Sequence, residues 1–272
     1  MSAPGNGANV RARRNTMPAQ AAKASHFHDL HRGDTPLVLV NIWDPGSAAT
    51  VISQGAPALA TGSASVASAM GFGDGEAVPL PLVLDNARRI ASSTDLPVTL
   101  DFEGGYATDT ATLAENIRNV IATGVVGINF EDQVIGGSGL HAIDDHVARI
   151  AAIREIAEAE GVDLFINART DVWLDAGKAV ILPAERLREA ITRGLAFAAA
   201  GANGFFVPGL TDAEQIAELC EAVPLPINAM HFEGMPSMAD LALAGVRRIS
   251  FGPGPYSCAM AALARQAQAA YH

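Results

Sequence analysis

Asp101-Phe-Glu103-Gly-Gly105, Glu131-Asp132 and Asn167-Ala-Arg169-Thr-Asp171 each stand directly after a short apolar, β-branched run. The runs are Pro97-Val-Thr-Leu100, Val126-Gly-Ile-Asn-Phe130 and Asp163-Leu-Phe-Ile166. Three strands are thus expected to deliver acids, and then an arginine, at their C-terminal ends. A barrel of parallel strands gathers such ends into one mouth, where the acids can share a hard divalent cation and the arginine can hold an anion.

Working outward from these stretches, the same alternation runs from Pro36 to the end of the chain. The strand-like runs are Leu37–Asn41, Ala58–Thr61, Val98–Phe102, Val126–Phe130, Leu164–Asn167, Gly204–Val207, Pro226–Asn228 and Arg248–Phe251. Each is followed by a helical segment: Ser47–Ser53, Ser65–Met70, Thr110–Thr123, Asp144–Ala159, Ala184–Ala200, Ala213–Val223, Met238–Ala244 and Ser257–Tyr271. Eight strand–helix units predict a (β/α)₈ TIM barrel rather than an open sheet. A short helix over His26–Leu30 is expected to precede it. Residues 1–24, rich in Ala, Gly, Ser and Asn and without periodicity, read as a disordered extension, leaving 25–272 as a single catalytic barrel.

Composition sets limits. At 272 residues, with 49% hydrophobic and 17% charged side chains, the chain has the material for one large core. A formal charge of −11 argues against nucleic acid or an anionic membrane as partner, because phosphate binding needs clustered Lys and Arg. Two distant cysteines, Cys220 and Cys258, form neither a metal spacing nor a disulfide framework, which fits a reducing cytoplasm. No apolar run approaches the roughly 18 residues of a membrane span, and Arg11, Arg13 and Arg14 are not followed by an apolar signal core.

The chemistry is expected at the strand ends. Asp101 and Glu103 are two residues apart and so face the same side of an extended strand, and Glu131 ends the next one. Oxygen-only donors favour Mg²⁺, with Mn²⁺ as the alternative. Asp74, in Gly71-Phe-Gly-Asp-Gly-Glu76, lies on an earlier loop from which water can relay it to the metal. Arg169 suits a small anionic carboxylate, held bidentately. Trp43, after the first strand, is expected to wall the pocket.

Asn41-Ile-Trp-Asp-Pro45, Thr61-Gly-Ser63 with Asp74-Gly75, Asp101–Gly105, Glu131-Asp-Gln133 and Asn167–Asp171, in that order, resemble the isocitrate lyase/phosphoenolpyruvate mutase superfamily. The resemblance covers Leu37 to the C-terminus. It implies a Mg²⁺-dependent enzyme that makes or breaks C–C or P–C bonds of small 2-oxo or 2-hydroxy acids through an enolate-like intermediate. It places Asp101, Glu103 and Glu131 in the metal shell, with Glu103 where many members have Asp, and Asp74 outside it. It gives Arg169 the substrate carboxylate and Thr61, Gly62 and Ser63 the substrate-holding loop. Asn228 and His231 lie where some members make further substrate contacts. It also implies a homo-oligomer, a dimer or a dimer of dimers, in which the last helix is exchanged between barrels. Ser257–Tyr271 is compatible with that exchange or with packing on its own barrel.

One segment departs from the resemblance. Where the lyases carry Lys-(Lys/Arg)-Cys-Gly-His, this chain reads Val134-Ile-Gly-Gly-Ser-Gly-Leu-His141. An ungapped register keeps His141, a candidate acid, but puts Gly139 at the cysteine and leaves no lysine. The Lys-Thr-Asn-Ser loop of the mutases is absent too. Gly136, Gly137 and Gly139 suit a closing lid. The reading is therefore a carbon–carbon lyase or decarboxylase ahead of a P–C mutase, with a non-catalytic ligand-binding barrel as the contrasting class.

Overall fold

The computed structural model describes residues 17–174 and 182–271. The apolar runs become parallel strands because both of their faces are covered, by helices outside and by side chains filling the interior. In chain order the elements are α1 (Met17–Leu30), β1 (Leu37–Leu39), β2 (Asn41–Ile42), α2 (Pro45–Ser53), β3 (Leu59–Thr61), α3 (Ser63–Met70) and α4 (Leu80–Ser92). There follow β4 (Val98–Asp101), α5 (Thr110–Ile121), β5 (Gly127–Glu131), α6 (Ile143–Ala159), β6 (Phe165–Arg169), α7 (Pro183–Ala199) and β7 (Gly204–Phe206). The last are α8 (Ala213–Ala222), β8 (Ile227–Met230), α9 (Met238–Leu243), β9 (Arg248–Ser250) and α10 (Gly254–Tyr271).

All pairings are parallel, in the order β1-β9-β8-β7-β6-β5-β4-β3-β2. β1 and β2 are two pieces of one strand interrupted at Val40: the first piece pairs with β9 and the second with β3. The nine segments therefore close as the eight-stranded barrel expected.

The helices pack by one face. α5 is capped by Asp109, whose side chain accepts the Thr112 N–H, and buries Leu113, Ile117, Val120 and Ile121 against the strands. α4 was not expected. Pro79 and Pro81 read as breakers in the sequence, yet Pro81 stands in the first helical turn, where a missing N–H costs nothing, and Val83, Ala87, Ile90 and Ala91 are buried.

The N-terminal end of the barrel is plugged by α1. Phe27 meets Phe165 edge-on at 5.3 Å, and His31 stacks on Phe165 at 4.0 Å. Gln20 is buried and donates to the carbonyls of Ile121 and Val125 at 2.8 Å each. The first helix thus begins at Met17 rather than His26, and residues 17–24, assigned by sequence to a disordered extension, are helical. Alanine-rich composition conceals the few side chains, Gln20, Ala24 and Phe27, that fasten it. Residues 1–16 of that extension lie outside the described residues.

None of α10's residues is buried, and Leu263 and Tyr271 are exposed. Among the described residues, no helix is long and apolar enough to cross a membrane.

Candidate active site

At the C-terminal mouth lies a cavity of about 230 Å³ whose lining includes Asp74, Asp101, Asn129 and Arg169, with Gly62 and Ser63. Asp101 ends β4 and is held from three sides. The Ser63 N–H, at the start of α3, donates to its Oδ2 at 2.9 Å, Asn129 Nδ2 lies 3.4 Å from Oδ1, and the Asp101 N–H donates to Thr61 Oγ1 at 2.9 Å. The expected Thr61-Gly62-Ser63 loop is thus beside the acid: Ser63 and Gly62 line the cavity, while Thr61 is buried behind it.

Arg169 ends β6 and faces the same cavity. Its Nε and Nη2 bond Asp171 at 2.6 and 2.8 Å, and Nη1 ion-pairs with Glu131 at 2.8 Å. A guanidinium carries five N–H groups, so these contacts leave two, one on each terminal nitrogen, for a ligand. Burial disfavours its charge, but the carboxylates of Glu131 and Asp171 outweigh burial and hold it protonated.

Glu103 and Glu131 do not line this cavity. Glu103 takes a left-handed backbone (φ +49°), which turns its carboxylate outward from the strand line to accept the Glu76 N–H. Glu76 (φ +59°) and Tyr106 (φ +54°) share that conformation, and the Tyr106 N–H donates to Glu76 Oε1 at 2.7 Å. Three non-glycine residues in this region, each costing about 1 kcal/mol or more, mark a locally strained knot beside the acids. Burial, then the charges of Asp101 and Asp74, push the Glu103 carboxyl up to about 8. Burial, only partly offset by Arg169, pushes Glu131 up as well, helped by Asp171, Asp101 and Glu103.

These mutual repulsions are what a hard cation relieves, so the acids fit Mg²⁺ in chemical type. Of the four expected metal-shell acids, Asp101 and Asp74 line this cavity and Glu103 and Glu131 do not. The reason is the left-handed turn at Glu103 and the capture of Glu131 by Arg169. Mg²⁺ keeps several waters and takes one or two carboxylates, so Asp101, with Asp74 beside it, is the fitting pair.

Three other expected residues lie elsewhere. Trp43 packs edge-on against Tyr256 of α10 at 5.1 Å and is absent from the cavity wall, because its backbone is held by Ser47 and Asn86. Asn228 is fully buried in a polar layer beneath the cavity, bonded to Asn167 and Ser250. His231 lines a separate apolar groove with Phe232, Phe251 and Cys258.

His141 is pinned away from the cavity as well. Its N–H donates to the Asp132 carbonyl at 2.8 Å and its carbonyl accepts from Arg193 at 3.0 Å. It faces a neighbouring cavity of about 430 Å³ together with Glu76, Tyr106 and Arg149. The segment before it is folded back on itself. Gln133 bridges Leu140, Val134 N–H donates to Gly139 O, and Gly136 and Gly139 take φ +71° and +78°. The glycines serve a tight hairpin.

Sequence reasoning missed the supports. Asp132 is fully buried, accepts from the Asp171 N–H and Arg193 Nη1 at 3.0 Å each, and so ties the ends of β5 and β6 to α7. Asn41 and Asn129 also line the cavity. Their signal was polarity inside otherwise apolar strand runs.

Comparison with known proteins agrees with this architecture. The family profile described as phosphoenolpyruvate phosphomutase matches residues 27–271. A Mycobacterium tuberculosis protein, the uncharacterized Rv1998c, is 33% identical over 246 residues, covering 89% of this chain and 88% of its own. The oxaloacetate decarboxylase of Paraburkholderia xenovorans is 28% identical over 236 residues, 84% of this chain and 75% of that protein. A crystal structure from Burkholderia cenocepacia J2315, provisionally described as a phosphonomutase, superposes with a TM-score of 0.86 at 47% identity, covering 90% of this chain and 99% of that one. A barrel mouth with acids opposite one arginine, and relatives that are lyases and mutases, make this chain an enzyme of the isocitrate lyase/phosphoenolpyruvate mutase superfamily.

Proposed function

We propose that the enzyme cleaves a C–C bond of a small 2-oxo or 2-hydroxy carboxylate, by retro-aldol cleavage or decarboxylation, with Mg²⁺ held by Asp101 and, through water, Asp74. The observation that carries this reading is the single cavity with these two carboxylates on its wall and the two remaining N–H groups of Arg169 for an anion. Mg²⁺, when bound, supplies Lewis acidity for the negative charge that bond cleavage leaves on a substrate oxygen. Arg169 binds and orients a substrate carboxylate, and Ser63 keeps Asp101 turned toward the cavity. A substrate carrying a carboxylate beside a carbonyl, as in the oxaloacetate that names one relative, matches that donor set.

A panel of 2-oxo and 2-hydroxy diacids with Mg²⁺, followed by pyruvate release, tests the proposal; EDTA should abolish turnover. Conversion of phosphoenolpyruvate to phosphonopyruvate, with no cleavage of any diacid, would reverse the order in favour of a mutase. The lyase is placed ahead of the mutase because the chain lacks the Lys-Thr-Asn-Ser gating sequence, although the segment 134–141 lacks the lyase Lys and Cys as well. We also infer a homo-oligomer that covers α10, whose residues are all unburied; a monomeric mass in light scattering would refute it.

A further inference from the structure

Beneath the cavity, Arg248 crosses the barrel interior from β9 to β5. It is 1% exposed, its Nη2 donates to Asn129 Oδ1 at 3.1 Å, and its Nε and Nη1 have no protein partner. Burial pushes its pKa down to about 9 against the pull of Asp101, so it is a cation at neutral pH. An interior cation without an ion pair is a poor stabilising device, since apolar side chains of similar volume often serve as well or better. Its presence calls for another reason.

That reason lies in the amide it holds. Asn129 Oδ1 also accepts Asn167 Nδ2 at 2.9 Å. Asn167 Nδ2 donates in turn to Asn228 Oδ1 at 3.1 Å, and Asn228 Nδ2 to the Ala229 carbonyl at 2.9 Å. The Ala229 carbonyl fixes Asn228, but Asn167 bonds through Nδ2 alone and its buried Oδ1 has no partner, so the donor-only guanidinium of Arg248 is what fixes Asn129 Oδ1. Gly204 leaves the room: a Cβ there would stand 2.7 Å from Asn167 Oδ1. The outcome is that Asn129 turns its NH₂ to Asp101 Oδ1 and to the cavity it lines.

We propose that Arg248 is a positioning residue that acts through Asn129, locking that amide so that it presents N–H donors, rather than its carbonyl, to an anionic ligand beside Asp101. A flipped amide would set an acceptor against the Asp101 carboxylate and remove a donor from the cavity. The ligand in question is the 2-oxo acid anion of the proposed function, on which part of the test rests; the amide orientation itself does not.

Two measurements test it. Oxalate, which resembles the enolate of pyruvate, is titrated calorimetrically into the full chain with saturating Mg²⁺. Arg248→Met should weaken oxalate about 10- to 100-fold, as expected for losing a hydrogen bond to a charged group. Arg248→Lys, which keeps a donor, should recover to within about fivefold, and Mg²⁺ alone should bind all three proteins within about threefold. Asn129→Ala should weaken oxalate by a similar factor, and Arg248→Met combined with Asn129→Ala should do little more than either alone, because both act on one contact. The second measurement uses ¹⁵N-asparagine labelling: the Asn129 side-chain NH₂ pair, assigned by its loss in Asn129→Ala, should be protected from exchange in the wild type and unprotected in Arg248→Met. Wild-type oxalate affinity with an unchanged, protected amide in Arg248→Met overturns the proposal. If the methionine variant does not fold, Arg248→Lys decides instead: an oxalate affinity lowered well beyond fivefold with the Asn129 amide still protected overturns the proposal. If wild type itself binds no oxalate, the lyase reading fails, and amide protection alone decides the role of Arg248.

Discussion

The two ends of this barrel bury ionisable groups by opposite means. At the C-terminal mouth Asp101, Asp171, Glu103 and Glu131 crowd together and are held apart by one arginine, backbone N–H groups and a strained turn. At the N-terminal end the buried titratable group is His31, stacked on Phe165 and pushed down to about 3 by burial and by Arg248. It is kept neutral, with Nδ1 within 2.8 Å of the Phe27 carbonyl. One end crowds acids against one arginine for chemistry; the other discards charge for packing. The same interior, a few residues along each strand, serves both.

Breaking the mouth should have the largest effect on turnover. Arg169→Met or Asp101→Ala is expected to lower kcat/KM by about 10³-fold or more, roughly 4 kcal/mol of transition-state stabilisation, in the pyruvate-release assay. Loss of less than tenfold would mean that the reaction centre lies elsewhere. Breaking the plug should show the converse. Phe27→Ala removes a fully buried ring and should cost about 3–5 kcal/mol in urea unfolding while leaving oxalate affinity unchanged. A parallel loss of affinity would show the two ends to be coupled.

The contrast is sharpened by acid. The folded-state pKa of His31 lies below its unfolded value, so its contribution to stability is complete above about pH 6.5 and is lost progressively as pH falls toward about 3. His146, buried against Phe130, is depressed by burial in the same direction and adds to the loss. His31→Gln should flatten the decline in urea midpoint between pH 7 and 4, an effect of roughly 1–3 kcal/mol. An unaltered decline would place the acid sensitivity in His146 instead, because the buried Glu103 and Glu131 carboxyls have raised pKa values and are relieved by acid. The smallest effect belongs to the hairpin. Gly136→Ala meets no neighbouring atom but forces a left-handed alanine, costing about 1 kcal/mol, and should change kcat/KM less than threefold. A drop of tenfold or more would support the closing lid that the sequence led us to expect.

The eight-fold alternation was legible because parallel strands buried on both faces read as short apolar runs, and their ends carry the acids. Asp101, Arg169 and Asp74 were singled out by their places after strands and Ser63 by the family resemblance, and all four line one cavity. What escaped has a common cause. The left-handed turn at Glu103 depends on hydrogen bonds from a loop 27 residues earlier, so its strand-like spacing from Asp101 misled. Trp43 and His141 were judged by type and place in the chain, whereas Trp43 packs on Tyr256 and the His141 backbone is held by Asp132 and Arg193. α4 was hidden by prolines that its first turn accommodates. Arg248 and the asparagine layer were invisible because a polar residue in a strand does not announce what lies opposite it across a barrel.

Any closed sheet needs a seam, and here the seam shifts partner at Val40, half-way along the first strand. Above that point main-chain rungs between the first and last strands give way to one side chain. Asn41 accepts the N–H groups of Phe251 and Gly252 at 2.8 and 2.9 Å and donates to the Thr61 carbonyl at 2.9 Å. The rim of the reaction chamber is therefore fastened by a single carboxamide clasp, and an Asn41→Ala protein would be a cylinder unbuttoned at its working end alone.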